Sequence, residues 1–213
     1  MVKRFLFQLI CCLVICFLVL VPVNSQTEIR RPLPAGIKLV LETTIVSKQY
    51  CSTAPFLLLT LSLKFTNLGD KPILLDRRSK LIGRELVSRN LKDLAGKKYL
   101  YKVSPMLDLA GAGIGRNLPE DLMLFAVLKP GESLTTSTES RVDVIVGPDR
   151  DGLPPGKYLL QVRVITWYYY PSATDRLRAQ WQDRGYLWTT DLTSKPMTFE
   201  VESKPALQPC SIH

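Results

Sequence analysis

His213 is the chain's only histidine, the last of 213 residues. Nucleophilic and acid–base chemistry through an imidazole needs a ring held in place by a third group, as in Ser-His-Asp and Cys-His sites. A chain terminus does not hold one. Zinc sites with histidine ligands fall by the same argument. Only Cys51 and Cys210 lie outside the N-terminal apolar stretch, so no four-cysteine site can be completed. Carboxylates are plentiful, 19 in all, with close pairs at Glu120–Asp121 and Asp149–Asp151. Glycoside hydrolysis needs two carboxylates roughly 5–10 Å apart across a cleft. Both pairs sit in turn-like loops beside proline, where a small domain has little room for one. Asp149-Arg150-Asp151-Gly152 opens like a calcium loop, but its twelfth position is Leu160 where a bidentate glutamate belongs. Turn chemistry accounts for those aspartates. The run GAGIG at 111–115 has neither the GK[ST] nor the strand-to-helix setting of a phosphate loop. The expectation is no catalytic residue, no metal and no cofactor.

Two stretches suit binding instead. The first is WYYY at 167–170. On one reading Trp167, Tyr169, Trp181 and Tyr186 form an aromatic patch at one end of the fold, fit to stack on a glycan or grip a peptide. On the other, which we favour, all four residues of the run pack against the core and the 172–186 loop. The second stretch is basic. Residues 71–102 hold ten Lys and Arg, among them Arg77, Arg78 and Lys80, against three acids. The whole chain is +9. Two of those charges, Lys3 and Arg4, sit in the leader, and this one segment accounts for the rest. It is either a surface for an anionic envelope component or a solvated face that protects an edge strand. The partners in view are an anionic envelope polymer or lipid, a glycan, or another protein. Nucleic acid is not expected outside the cell.

That location follows from the first 25 residues. Lys3 and Arg4 precede an apolar run from Phe5 to Val21, broken only by Gln8, and Ser25 offers a small residue for cleavage before Gln26. The rival is an uncleaved anchor, since 17 residues is the low end for spanning a bilayer. Either way residues 26–213 are expected outside the cytosol, secreted or periplasmic, tethered if uncleaved. In an oxidising compartment Cys51 and Cys210 are expected to form one disulfide, tying the end of the first strand to the C-terminal tail.

The elements that would position these groups are strands. In FLLLTLSLKFTN, Leu57, Leu59, Leu61, Leu63 and Phe65 alternate with Thr60, Ser62, Lys64 and Thr66. Strict alternation means an antiparallel sheet with one wet face. Ile37–Ser47, PILLD, LMLFAVL, LTTSTESRVDVIV, KYLLQVRV and MTFEV add further strands. Over residues 77–104 the pattern is ambiguous, the rival helix running over 84–95. LIGRELVSR reads as a strand and NLKDLAG as one helical turn with Asn90 as N-cap. The runner-up is an amphipathic cationic helix, with Val87, Leu91 and Leu94 on one face. Within 172–186 a short helix is expected, Leu177 and Trp181 being four apart, with Gly185 at its C′ position.

The turns TNLGDKPILL, LKPGES, LPPGKYLLQVRV and SKPMTFEV occur in that order. The set resembles the immunoglobulin-like β-sandwiches of secreted bacterial proteins, over residues 36–202 with an insertion at 77–121 between a 26–35 linker and a 203–213 tail. The resemblance implies an all-β sandwich of seven to nine strands. It also implies a tyrosine corner at Tyr158, whose hydroxyl would bond backbone a few residues upstream. The antibody-type cysteine two residues after that tyrosine is Leu160 here, and PILLD carries no tryptophan. A fold of this kind implies no activity. The function expected is a non-catalytic binding or structural module of the cell envelope. The alternatives are a protease inhibitor presenting the 172–186 loop or, less favoured, a small carboxylate-dependent hydrolase.

Overall fold

Strand β2, Phe56–Asn67, is the alternating run, and its alternation sets the first sheet. The computed structural model of the chain describes residues 33–52, 56–76, 87–99, 121–144, 152–164, 166 and 171–210. Leu57, Leu59, Leu61, Leu63 and Phe65 are buried, each no more than 3% exposed. Strand β1, Leu39–Cys51, pairs antiparallel on one side of β2 and β7, Ser133–Asp143, on the other. The outer face is lined by hydroxyls that bond across strands: Ser47 to Thr60 at 2.8 Å and Thr66 with Ser133 at 2.9 Å. A bulge between Ile45 and Ser47 sets Val46 out into solvent.

The second sheet is built on β8, Gly156–Val164. Tyr158, Leu160, Val162 and Val164 turn inward, and Arg163 turns out to Asp191, its Nε 3.0 Å from the carboxylate. Strand β4, Val87–Asp93, lies on one side of β8, with the two-residue β5, Lys98–Tyr99, beyond it. On the other side β8 pairs with β10, Leu192–Thr193, and β11, Met197–Val201.

A third, smaller sheet has the order β6 (Phe125–Leu128), β3 (Ile73–Asp76), β9 (Tyr186–Leu187). Every residue of β3 is buried. Ile73 and Leu75 join the core shared by all three sheets. Leu74 faces the other way, into a second cluster with Phe125, Leu177, Trp181 and Leu187. Helix α1, Pro171–Gln180, brings Leu177 and Trp181 over that face. A short apolar run with no alternation is the sequence mark of a strand covered on both sides. Among the described residues the fold is all-β with this one helix, and Pro34–His213 forms one compact unit. No described helix is long and apolar enough to cross a membrane.

Three expectations are corrected. Asn90 caps no helical turn, and residues 87–93 are not part of an amphipathic helix: they are β4, in register with β8 from Val87↔Val164 to Asp93↔Tyr158. The helical spacing of Val87, Leu91 and Leu94 is coincidental. Leu91 is a buried core residue and Leu94 an exposed turn residue. The 77–121 insertion is interrupted by β4 and β5, which belong to the second sheet. Gly185 does not directly follow the helix. A further turn, closed by Arg184 N to Trp181 O at 2.8 Å, separates them. Its φ is 149°, and a Cβ there would lie 2.8 Å from Pro72 O, so glycine is required for close approach to β3.

The two ends of the first sheet are pinned differently. At one end Asn67, fully buried, bonds Lys71 O and Leu128 O through its amide nitrogen, at 2.9 and 2.8 Å. Its side-chain oxygen accepts from Gly69 N at 2.9 Å. One side chain thus ties the NLGDK and KPGE turns together. At the other end Cys51 and Cys210 are bonded, with Cα atoms 5.3 Å apart. The disulfide holds β12, Leu207–Gln208, parallel to Tyr50–Cys51.

Tyr158 donates its hydroxyl to Pro154 O at 2.6 Å and packs edge-on to Tyr99 at 5.5 Å. Burial, then the negative charge that Tyr99 and Asp93 would place beside a phenolate, push its pKa up from 10.0 to about 12. Above pH 10 the unfolded chain gives up this proton while the folded chain keeps it. The folded state then binds more protons, and stability falls as pH rises from 10 toward 12. Comparing Tyr158→Phe with wild type isolates this from everything the two proteins share. The difference in melting temperature should be constant below pH 10 and shrink above it. At neutral pH the loss should be about 0.5–1.5 kcal/mol, because Pro154 O is exposed and takes water instead. A difference that stays constant through pH 12 would refute the shift.

Candidate functional site

Of the four residues expected to form an aromatic patch, Trp181 and Tyr186 are described. Trp167 and Tyr169 lie outside the described residues. Trp181 is buried, 6% exposed, edge-on to Phe125 with centroids 4.8 Å apart. Its position one helical turn beyond Leu177 puts it on the apolar side of α1, facing the small sheet. Tyr186 is half-buried on β9, packs toward the shared core, and lies under the Arg178 guanidinium at 5.7 Å. Trp181 and Tyr186 therefore serve different clusters. The 172–186 segment is helical through Gln180 and fastened by Leu177 and Trp181. Trp188, not singled out in the sequence, is the other described tryptophan: it is 2% exposed and donates Nε1–H to Thr190 O. Thr166 bonds the same carbonyl at 2.9 Å.

Of the carboxylates paired in the sequence, Asp121 alone is described. Asp121 accepts from Met123 N at 2.8 Å and caps the short 3-10 turn at Leu122–Leu124. Glu120, Asp149, Asp151 and the GAGIG run lie outside the described residues. Among the described residues no three His, Cys, Asp or Glu side chains are grouped to hold a metal ion.

The basic segment is partly described, and there the geometry is specific. Arg77, Arg78 and Lys80 lie outside the described residues. Lys92 on β4 and Lys98 on β5 stand directly opposite each other. Cross-strand partners share a face, so the half-buried Lys92 and the exposed Lys98 leave the backbone on the same side of the sheet, opposite the buried Leu91. The row continues through Leu159 on β8 to Thr198 on β11. Lys157 lies on the same sheet, across from Glu200.

The turn between β4 and β5 was missed as a hairpin. Asp93 N bonds Lys97 O at 3.0 Å, Gly96 N bonds Asp93 O at 3.0 Å, and Gly96 has φ 87°. This is a three-residue loop, Leu94-Ala95-Gly96, with glycine in the left-handed position. Asp93 locks it, its carboxylate accepting from Lys97 N at 2.8 Å and from the Tyr99 hydroxyl at 3.3 Å. Lys97 sits over the Tyr99 ring at 5.2 Å. The string DLAGK carried the signal: an aspartate, then glycine three residues on, between two strand-like runs.

No family model and no curated protein matches this chain. Among solved structures, an X-ray structure of a Northeast Structural Genomics Consortium target aligns over 84% of this chain and 94% of its own, at 13% identity and a TM-score of 0.32. A likeness at that level assigns neither family nor function.

Proposed function

We propose that this chain is an exported, non-catalytic module with an immunoglobulin-like β-sandwich fold that binds an anionic component of the cell envelope through the outer face of its β5-β4-β8-β11 sheet. The sandwich reading is supported by strand order: β1, β2 and β7 in one sheet, with β4, β8 and β11 in another, around a shared core. The Tyr158–Pro154 bond adds to it. Export is supported by the leader-like sequence and by the Cys51–Cys210 disulfide, a bond that persists in oxidising compartments.

The observation that carries the binding reading is the Lys92–Lys98 pair. Protection of an edge strand explains a lysine on β5, the outermost strand of this sheet among the described residues. It does not explain a second lysine directly opposite on β4, where like charges cost about 0.2–1 kcal/mol. A repulsion kept in the free protein is relieved by an anion that bridges it. Lys92→Glu should therefore raise the melting temperature slightly, by placing a carboxylate opposite Lys98. Lys92→Glu with Lys98→Glu should abolish binding of soluble polyglutamate. Unchanged polyglutamate binding by the double variant would refute the reading.

A further inference from the structure

The anionic-partner reading leaves the kind of anion open, and the β4–β5 hairpin narrows it. Leu94 is 63% exposed at the apex of the turn. Single exposed leucines are ordinary on protein surfaces. This one stands on a loop closed by three hydrogen bonds around Asp93, followed by the exposed Lys97 and Lys98 and preceded by Lys92. The next loop residues, Ala95 and Gly96, are small and exposed, and a side chain built on Gly96 would meet open space. The tip is therefore narrow, rigid, apolar at its point and cationic behind it. Asp93, the one acid in the turn, has its carboxylate turned to Lys97 N and the Tyr99 hydroxyl.

We propose that this hairpin tip docks on an anionic lipid surface, with Leu94 entering the headgroup–acyl boundary while Lys92, Lys97 and Lys98 meet headgroup phosphates. The inference rests on the anionic-partner reading above. A soluble polyanion would satisfy the lysines and leave Leu94 in water, whereas a lipid surface takes both. Each lysine near an anionic membrane contributes about fivefold in affinity, and immersing a leucine about tenfold. Neither alone holds a protein on a membrane, and stable attachment takes two such signals together.

The test is co-sedimentation of the exported protein with mixed phosphatidylglycerol–phosphatidylcholine vesicles and with pure phosphatidylcholine vesicles. Polyglutamate binding is measured alongside. Binding should occur only with the anionic vesicles, fall about tenfold in Leu94→Ser, and vanish in Lys97→Glu with Lys98→Glu. Leu94 is exposed, so Leu94→Ser should melt like wild type, which keeps a binding loss interpretable. Polyglutamate binding without vesicle binding overturns the lipid proposal and leaves the anionic reading standing. Loss of both overturns both. A Leu94→Ser protein that binds vesicles like wild type, or wild type that binds pure phosphatidylcholine equally, overturns docking through this tip.

Discussion

Replacing Asn67 with alanine should lower the unfolding free energy by about 3–5 kcal/mol, as a buried amide leaves several backbone groups without partners. The side chain is fully buried and makes three bonds, to Lys71 O, Leu128 O and Gly69 N. Its backbone makes two more, N to Glu132 O at 3.0 Å and O from Gly131 N at 2.9 Å. Alanine keeps the backbone bonds and abandons the other three partners. Part of the loss is recovered where Lys71, in an exposed turn, finds water. Asn67→Asp is the sharper variant. It keeps the acceptor for Gly69 N but turns an oxygen toward two carbonyl oxygens, inside the fold, and should be worse than alanine. Urea unfolding of the three proteins checks the order. If Asn67→Ala and Asn67→Asp unfold at the wild-type midpoint, the buried amide does not hold the two turns together.

Removing the disulfide should cost less than its long loop suggests. Cys51 and Cys210 are 159 residues apart, and constraint of an unfolded loop that size stabilises by about 5 kcal/mol in the chain-entropy model. The bond holds a strap with little else to hold it. Both residues of β12 are exposed. Its remaining ties include Ser52 N to Gln208 O at 2.9 Å and Gln49 Nε2 to Pro209 O at 3.0 Å. Without the disulfide the strap can fray while the core stays folded, so the native state regains part of the entropy too. The expected loss for Cys51→Ala with Cys210→Ala is about 3–4 kcal/mol, or roughly 10 °C in melting temperature for a domain of this size. Amide exchange should show Ser52 losing protection while β2 and β8 keep theirs. A cost at the full chain-entropy value with Ser52 still protected would contradict the fraying strap.

The strands that alternate were legible because one face of each is wet. Leu57 to Phe65 on β2 and Tyr158 to Val164 on β8 fall on the core side as the period of two requires. The turn strings NLGDK and KPGE were legible as turns, though that Asn67 joins them was not, since its partner Leu128 is 61 residues further along the chain. The disulfide was legible from the leader-like N-terminus and the cysteine count. What was not legible depended on partners distant in sequence. PILLD carries no alternation because α1, almost a hundred residues later, covers its second face. The four-residue spacing of Leu177 and Trp181 shows a helix side without showing what that side meets. Trp188 gave no signal, lying in LWTTD with no clear period.

At the candidate site the basic composition of 71–102 was legible and its geometry was not. The helical spacing of Val87, Leu91 and Leu94 competed with the strand pattern, and pairing with β8 decided between them. Only register puts Lys92 opposite Lys98, and register is set by the DLAGK turn and the strand next door. Arg77, Arg78 and Lys80 of the same segment are not among the described residues.

The central claim is that the Lys92–Lys98 face binds an anionic partner. The most direct measurement is a polyglutamate titration of wild type and the Lys92→Glu, Lys98→Glu variant at low and at high salt. Wild type should bind at low salt and release as the screening length shrinks from about 10 Å at 0.1 M to about 3 Å at 1 M. The variant should not bind at either salt, while keeping a wild-type melting profile. Binding by wild type that survives high salt, or binding by the variant at low salt, would contradict the account.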